Sequence, residues 1–244
     1  MSGQGFIPYD WNISSLFLSI LNKFDHVSVR DFPSYQIIKN LNSTYHDCIL
    51  DDTFLYRKSP LSKDYIPFSH EELIVPFENN YCSVNRLIVC IQNDISDINI
   101  NNYLYWQISK IVEQKKCKVY VCEFLPKHDL QVIKKLKLIT DVIIVPFEDL
   151  WCRNFVFLNT DLCIGTRFHF HLLSARCGAK GIFGSADKYY GIKHDSLLDI
   201  GSRWENVDLH HNDVPVLENP VINEEKLVLL KHKEFKKIMS LIEN

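Results

Sequence analysis

Short apolar segments alternate with amphipathic segments from residue 87 to residue 183, and this alternation constrains the fold more than any other feature. The apolar segments have strand length and cover Leu87–Gln92, Lys118–Phe124, Asp141–Val145, Asp161–Ile164 and Gly181–Phe183. The segments between them are predicted to be helical over Tyr103–Gln114, Leu130–Leu138, Phe147–Val156 and Phe168–Cys177. Strands that are apolar on both faces and separated by helices form a parallel sheet buried on both sides. We therefore predict an α/β fold, a Rossmann-like parallel sheet with helices on both faces.

The regions outside this alternation supply further elements and divide the chain. The N-terminal region predicts a helix, a strand, a helix and a strand, over Trp11–Lys23, His26–Val29, Ser34–Leu41 and around Cys48–Leu50. Residues Asn223–Asn244 have the pattern of an amphipathic helix that Asn223 caps. We assign residues 1–58 to an N-terminal α/β segment, 59–85 to an exposed loop or linker, and 86–222 to the Rossmann-like domain. The helix at 223–244 is expected to pack back on that domain.

Charge and motif content exclude several classes of protein. The 27 basic and 30 acidic residues give a formal net charge of -3, so no overall cationic field attracts nucleic acid. No apolar run approaches the ~18 residues of a membrane span, and the eight cysteines lack a C-x-x-C pair. Buried free thiols in a cytoplasmic protein are the favoured interpretation. P-loop, dinucleotide-binding and G-x-S-x-G motifs are absent, and His169 and His171 have the wrong spacing for zinc. We expect neither a metal nor a cofactor.

Two predicted strands end in an arginine beside the start of a helix. Arg30 and Asp31 follow the strand at 26–29, with Ser34 placed to cap the next helix, and Gly165-Thr166-Arg167 follows the strand at 161–164. Open α/β sheets bind ligands at this edge, where two guanidiniums form a pocket for a small anion that carries phosphate and carboxylate. His169 is placed to exchange a proton with the same ligand. The alternatives are an Arg30 paired with Asp31 or another acid, and a partly buried His169 with a structural partner.

Several ordered segments resemble the polysaccharide pyruvyl transferase family. The matching segments are residues 3–8 (GQGFIP), 27–31 (VSVRD) with Ser34, 51–54 (DDTF) and 161–169 (DLCIGTRFH), followed by Gly178 and Lys188. Members of this family transfer pyruvate from phosphoenolpyruvate to sugar hydroxyls as a ketal during synthesis of capsule and other cell-surface polysaccharides. The resemblance implies a cytoplasmic enzyme, at the inner face of the membrane, whose acceptor is a sugar or a lipid-linked glycan.

The resemblance also implies roles for single residues. Arg30 and Arg167 would hold the phosphate and carboxylate of phosphoenolpyruvate, and His169 would be the general acid or base. Ser34, Gly165 and Thr166 would line the donor site, Lys188 would add positive charge, and Asp31 would orient Arg30. Because the first matching segment begins at residue 3, the chain corresponds to the C-terminal half of a GT-B-like architecture. The N-terminal half would then have been cut away or be supplied by a partner chain, or the protein would be a reduced variant of the family.

Two other functions are compatible with the same sequence. A nucleotide-sugar glycosyltransferase of GT-B type would use a carboxylate at a strand end to bind ribose, and Glu123 and Glu148 are the candidates. A degenerate transferase domain that acts as a scaffold in a capsule-synthesis complex would bind neither donor.

Overall fold

The computed structural model describes residues 19–38, 46–48, 50–55, 59, 61, 85–92, 97–126, 128–152, 154–185, 187–207 and 214–243. The chain divides into two compact units, one formed by residues 1–57 with 223–244 and the other by residues 58–222. The C-terminal helix therefore groups with the N-terminal segment, whereas the sequence led us to expect it on the 86–222 domain. Each unit is described separately below.

The N-terminal unit contains a pair of parallel strands. Strand β1 (Val27–Val29) pairs with β2 (His46–Cys48), and helix α1 (Phe32–Ile38) lies between them in the chain. Val27 and Val29 are fully buried and pack with Ile38. The prediction placed α1 two residues later and β2 at residues 48–50. The predicted helix at 11–23 lies mostly outside the described residues.

The unit at 58–222 is built on a six-stranded parallel sheet, and this confirms the predicted Rossmann-like fold. Its elements in chain order are β3 (Arg86–Cys90), α2 (Ile98–Lys115), β4 (Lys118–Cys122), α3 (Ile133–Leu136), β5 (Val142–Val145), α4 (Phe147–Trp151), β6 (Leu162–Gly165), α5 (Phe168–Arg176), β7 (Lys180–Phe183), α6 (Lys188–Asp199) and β8 (Glu205–Asn206). The strand order is β5-β4-β3-β6-β7-β8, and every pair is parallel. All five predicted strands are present, whereas α6 and β8 were not predicted.

The two faces of this sheet bury different side chains. On one face Ile88 and Tyr120 pack with Phe170 of α5, and on the other Val89 and Val121 pack with the α2 residues, among them Ile108. The side chains of β3 and β4 alternate between these two clusters, as expected for central strands that are apolar throughout. Helices therefore cover both faces, as the sequence predicted.

The segment predicted to be an exposed linker is partly packed against the same unit. Ser59 and Leu61 are buried. The Ser59 hydroxyl donates to the carbonyl of Leu173, and the Leu61 carbonyl accepts the N–H of Phe157 at 2.9 Å. The proline and serine content suggested exposure, but a side-chain hydroxyl with a backbone acceptor can be buried at little cost. Residues 60 and 62–84 of the predicted linker lie outside the described residues.

Helix α7 (Glu224–Ile242) completes the N-terminal unit. Its cap is Asn223, whose side chain accepts the N–H of Lys226, as predicted. Lys231 and Glu234, two charged residues one turn apart, are nearly completely buried. The other lysines of this helix are exposed, and Lys231 is the exception.

Candidate functional site

The turn after β6 is bound tightly to the end of the neighbouring strand β3. A Cβ atom on Gly165 would lie 2.6 Å from the carbonyl oxygen of Cys90 and 2.6 Å from the Phe170 ring, so only glycine fits there. The N–H of Thr166 donates to the Cys90 carbonyl at 3.0 Å. The N–H of Gln92 donates to Thr166 Oγ1 at 2.8 Å. Gly165 and Thr166 therefore fix the backbone from which Arg167 projects.

A buried aspartate holds the guanidinium of Arg167. Arg167 Nε lies 2.9 Å from Asp129 Oδ1, and Nη2 lies 2.6 Å from the same oxygen. Asp129 is fully buried, and its Oδ2 also accepts the N–H groups of Phe124 and Leu125 at 2.9 and 2.7 Å. These donors belong to the loop after β4, so the carboxylate joins that loop to the turn after β6. The ion pair sets the position of the guanidinium before any ligand arrives.

The thiol of Cys90 lies beside this ion pair. Burial, with a further contribution from the Asp129 carboxylate, raises the pKa of the thiol well above its usual value. The protonated sulfur lies 3.8 Å from Asp129 Oδ2 and is placed to donate to it. Cys90 is thus an inert structural thiol that adds a weak donor to the aspartate.

His169 and Lys188 are exposed at the same edge of the sheet. His169 lies in the first turn of α5, which Arg167 precedes as the N-cap residue. The His169 ring contacts that of Phe168 at a centroid distance of 5.1 Å. Exposure of His169 argues against the alternative of a partly buried structural histidine. Lys188 begins α6 after β7, and Asp187 caps this helix by accepting the N–H of Tyr190 at 2.9 Å. Both side chains are accessible to a ligand in solution.

Two buried histidines lie behind the turn. His194 Nε2 is 3.2 Å from the carbonyl oxygen of Thr166, and His194 Nδ1 is 2.9 Å from Nδ1 of His171. His171 Nε2 contacts Ser202 Oγ, and the ring stacks on Trp204 at a centroid distance of 4.2 Å. Burial lowers the pKa of His171 well below its usual value and lowers the pKa of His194 to about 4. Both imidazoles are therefore neutral near pH 7.

Sequence reasoning missed Asp129, His194 and Ser202. None of them belongs to a local motif, and each acts on residues 23 to 38 positions away in the chain. His171 was considered only as a zinc ligand. One signal was available for Asp129: it follows a predicted strand of the sheet, where a carboxylate can meet an arginine from the next strand end.

The predicted residues Arg30, Asp31 and Ser34 lie in the N-terminal unit. Arg30 Nη1 is 3.5 Å from Oδ2 of Asp51, and Asp51 Oδ1 accepts the N–H of Thr53 at 3.1 Å. Asp31 is buried and accepts the N–H of Ser34 at 2.8 Å. Asp31 therefore caps α1, and the expectation that Ser34 is the cap was wrong because the helix begins two residues earlier. The carboxylate at ion-pair distance from Arg30 is Asp51, and Asp31 has its own structural role.

A buried charge network in α7 supports the loop that carries Asp51. Lys231 Nζ lies 3.0 Å from the Leu50 carbonyl, 2.6 Å from Asp52 Oδ1 and 2.6 Å from Glu234 Oε2. Glu234 Oε1 is 3.1 Å from His26 Nε2. Burial raises the pKa of Glu234, but the hydrogen bonds from His26 and Lys231 outweigh it and hold the pKa at about 2. The network thus holds residues 50–52 from the helix side.

The aspartate that opens the 161–169 segment is structural. Asp161 Oδ1 accepts from Arg86 Nε at 2.7 Å, and Oδ2 pairs with Arg86 Nη2. Arg86 begins β3 and Asp161 precedes β6, so this pair lies at the amino edge of the sheet, opposite Arg167. Burial raises the pKa of Asp161, although Arg86 acts in the other direction. Asp161, at the start of the 161–169 segment, therefore stabilises the fold, whereas Arg167, near its end, belongs to the candidate site.

No group of three or more His, Cys, Asp or Glu side chains suited to a metal occurs within the described ranges. Among the helices of those ranges, none is long and apolar enough to cross a membrane. Six cysteines of the described ranges, Cys90, Cys117, Cys122, Cys152, Cys163 and Cys177, are free thiols.

The parallel sheet, with an arginine fixed at its carboxyl edge, defines a Rossmann-like α/β protein with a candidate anion site. A family model described as polysaccharide pyruvyl transferase matches residues 1–183, which is three quarters of the chain, and the chain therefore belongs to this transferase family. The matched region contains both Arg30 and Arg167, and it ends before α6 and α7. No curated protein matches the chain.

Proposed function

We propose that the chain transfers pyruvate from phosphoenolpyruvate to two hydroxyls of a sugar as a ketal, in the synthesis of a cell-surface polysaccharide. One observation carries the proposal: Arg167 is held in a two-pronged pair with buried Asp129 at the carboxyl edge of a parallel sheet. Ligands of open α/β sheets bind at this edge. Membership of the transferase family supports the reaction class.

The reaction requires anion binding and a proton donor. A proton adds to C3 of phosphoenolpyruvate and converts the methylene to a methyl group, which leaves cationic character at C2. One sugar hydroxyl forms a bond to C2 and loses its proton. The C2–O bond to phosphate then breaks, and phosphate leaves with the bonding electrons and one proton. The second hydroxyl bonds to C2 and loses its proton, which replaces the one used at C3.

The residues at the carboxyl edge of the sheet have separate roles in this reaction. Arg167 binds the phosphate or the carboxylate, and its fixed position reduces the entropy that the ligand must lose on binding. His169, exposed beside it, transfers the proton to C3, a contribution typically of about 10²–10⁴-fold in rate. Gly165 and Thr166 form the backbone of the site, and Lys188 adds positive charge. No resident cofactor takes part in these steps.

The N-terminal unit is proposed to assist with donor binding through Arg30 and Ser34. Asp51 neutralises Arg30 in the structure, so an incoming anion would compete with or add to that pair. Contact of Arg30 with the same donor as Arg167 stays a prediction, because the two residues lie in different units. The acceptor is a sugar or a lipid-linked glycan on the cytoplasmic side.

Glu123 and Glu148, the carboxylates that a nucleotide-sugar glycosyltransferase would use to bind ribose, give little support to that function. Glu123 is buried, and its Oε2 accepts the N–H of Phe147, the first residue of α4, at 3.0 Å. A carboxylate in that position serves the helix terminus. Glu148 is exposed in the first turn of the same helix. A scaffold function has no specific observation in its favour.

Calorimetry with phosphoenolpyruvate and with uridine and cytidine diphosphates separates the three functions. We expect the wild-type chain to bind phosphoenolpyruvate, and Arg167→Ala to lose about 100-fold in affinity, because charge-assisted hydrogen bonds contribute about 1.5–3 kcal/mol each. Arg203→Ala is the control, since Arg203 is half-exposed and pairs with Glu218 at 2.8 Å on the surface. Preference for a nucleotide would support the glycosyltransferase, and binding of no donor would support the scaffold.

A further inference from the structure

The contacts of the two buried histidines form a continuous line from Ser202 to the turn that carries Arg167. The line runs from Ser202 Oγ to His171, from His171 to His194, and from His194 to the carbonyl of Thr166. All four residues are at most 3% exposed, so water does not offer alternative partners. Each ring nitrogen in the line therefore finds its donor or acceptor within it, and Ser202 Oγ also accepts the N–H of Trp204 at 3.4 Å.

The Thr166 carbonyl fixes the direction of every hydrogen bond in this line. A carbonyl only accepts, so His194 Nε2 carries the hydrogen and donates to it. A neutral His194 then has a bare Nδ1, which must accept, so the hydrogen between the two rings belongs to His171 Nδ1. His171 Nε2 is then bare and accepts from the Ser202 hydroxyl. The neutral rings thus have opposite tautomers, His194 protonated at Nε2 and His171 at Nδ1.

Any other neutral arrangement places two lone pairs against each other. With His171 protonated at Nε2 and His194 unchanged, two bare Nδ1 atoms would face at 2.9 Å. With His194 protonated at Nδ1, its bare Nε2 would face the Thr166 oxygen at 3.2 Å. An unsatisfied buried acceptor is costly, and the stacked rings of Phe183 and Trp204 prevent rotation away from it.

We propose that His194, backed by His171 and Ser202, is a positioning residue that fixes the Thr166–Arg167 turn. The part of this inference that concerns donor binding rests on the proposed function. Thr166 is then held at three atoms: its N–H by Cys90, its Oγ1 by Gln92 and its carbonyl by His194. The next residue is Arg167, whose side chain is held by Asp129. Backbone and guanidinium are thus restrained by separate partners.

The tautomers are measured directly by ¹⁵N NMR of the full chain labelled at histidine. We expect one buried histidine to be protonated at Nε2 and the other at Nδ1. The variants His194→Gln and Ser202→Ala assign the resonances to the two residues. Ser202→Ala removes only the hydroxyl, so the Nε2 resonance of His171 should shift more than that of His194 Nε2. Two rings in the same tautomer, a charged ring at neutral pH, or an unshifted His171 Nε2 would overturn the chain of hydrogen bonds.

The positioning role is tested by a pair of variants that differ in one donor. His194→Gln keeps an N–H that can reach the Thr166 carbonyl, whereas His194→Leu fills a similar volume without a donor. We expect the exchange of the Arg167 Nε–H and the Gln92 amide to accelerate about tenfold in the leucine variant only, as for one lost buried hydrogen bond. Phosphoenolpyruvate affinity should fall by a similar factor in that variant.

The outcomes distinguish this inference from the proposed function. Equal exchange rates in wild type and both variants, or equal acceleration in both variants, would overturn the positioning role. If the wild type binds no phosphoenolpyruvate but exchange accelerates only in the leucine variant, the proposed function fails and the positioning role stands. If His194→Leu does not fold, Ser202→Ala replaces it, and an unchanged Gln92 exchange rate there would overturn the role.

Discussion

Replacement of Asp129 by asparagine tests whether the buried carboxylate holds Arg167. In the native chain the carboxylate accepts from both Nε and Nη2 of Arg167 and from two backbone N–H groups. Asparagine has nearly the same size but only one acceptor oxygen, and its NH₂ group would face donors. Either the guanidinium or the loop after β4 then loses its acceptor, so the change removes the ion pair without creating a cavity.

The expected loss of stability follows from the burial of Asp129 and Arg167. The Asp129 side chain is 0% exposed and that of Arg167 is 16% exposed. Removal of one partner of a buried pair costs about 3–5 kcal/mol, and partial hydration of Arg167 places this pair at the lower end. We therefore expect Asp129→Asn to lower the free energy of unfolding by about 3 kcal/mol.

The assay is urea unfolding followed by tryptophan fluorescence, which reports on buried Trp204 in the same unit. Glu218→Gln is the matched control, because it removes a carboxylate from an exposed arginine pair at 2.8 Å and should cost less than about 1 kcal/mol. Phosphoenolpyruvate affinity should fall in Asp129→Asn and not in Glu218→Gln. Equal and small losses of stability in both variants would refute the structural role of Asp129.

Three further predictions concern packing, pH and thiol reactivity. Gly165→Ala should cost about 1–3 kcal/mol of stability in urea unfolding, because the methyl group would collide with a backbone carbonyl and an aromatic ring. The stability difference between wild type and Glu234→Gln should be complete above pH 4.5 and should decrease as the pH falls toward about 2, because the folded-state pKa is depressed. Exposed Cys152 should react rapidly with a thiol reagent, whereas cysteines whose pKa is raised by burial should react only on unfolding, namely Cys90, Cys122 and Cys163.

Each of these predictions has its own control and contradictory result. Gly191→Ala meets nothing closer than 3.7 Å and should cost no stability, so an equal loss in both alanine variants would contradict the packing argument. For Glu234, circular dichroism measures the stability of wild type and Glu234→Gln over a series of acidic pH values. A stability difference that grows as the pH falls would contradict the assigned pKa. Peptide mapping of the labelled cysteines, with Cys152→Ser as control, would contradict the burial argument if a buried thiol reacted rapidly in the folded chain.

The sequence predicted the central sheet well because its strands are apolar on both faces. Strands β3 to β7 were each located within two residues at their ends. Helix α6 was missed because glycine and polar residues interrupt its apolar spacing, and its stability depends on Asp187 as cap and on His194 packed inside. Strand β8 has two residues, too few for any periodicity.

The sequence predicted part of the candidate site because it located the carboxyl ends of the strands. The rule that ligands bind at the carboxyl ends of strands selects Arg167 and Gly165 from local pattern alone. The partners that hold them could not be selected, because Asp129 and His194 reach the turn only after the sheet has formed. We predicted Ser34 as the cap of α1, whereas the cap is Asp31, three residues earlier. Both are good capping residues, and packing decides between them.

A structure of the chain bound to phosphoenolpyruvate tests the central claim most directly. The account predicts the donor at the carboxyl edge of the sheet, with its phosphate or carboxylate within hydrogen-bond distance of Arg167 and with the Asp129 pair intact. Phosphoenolpyruvate bound away from Arg167, or bound equally well by crystals of Arg167→Ala at the same position, would contradict it.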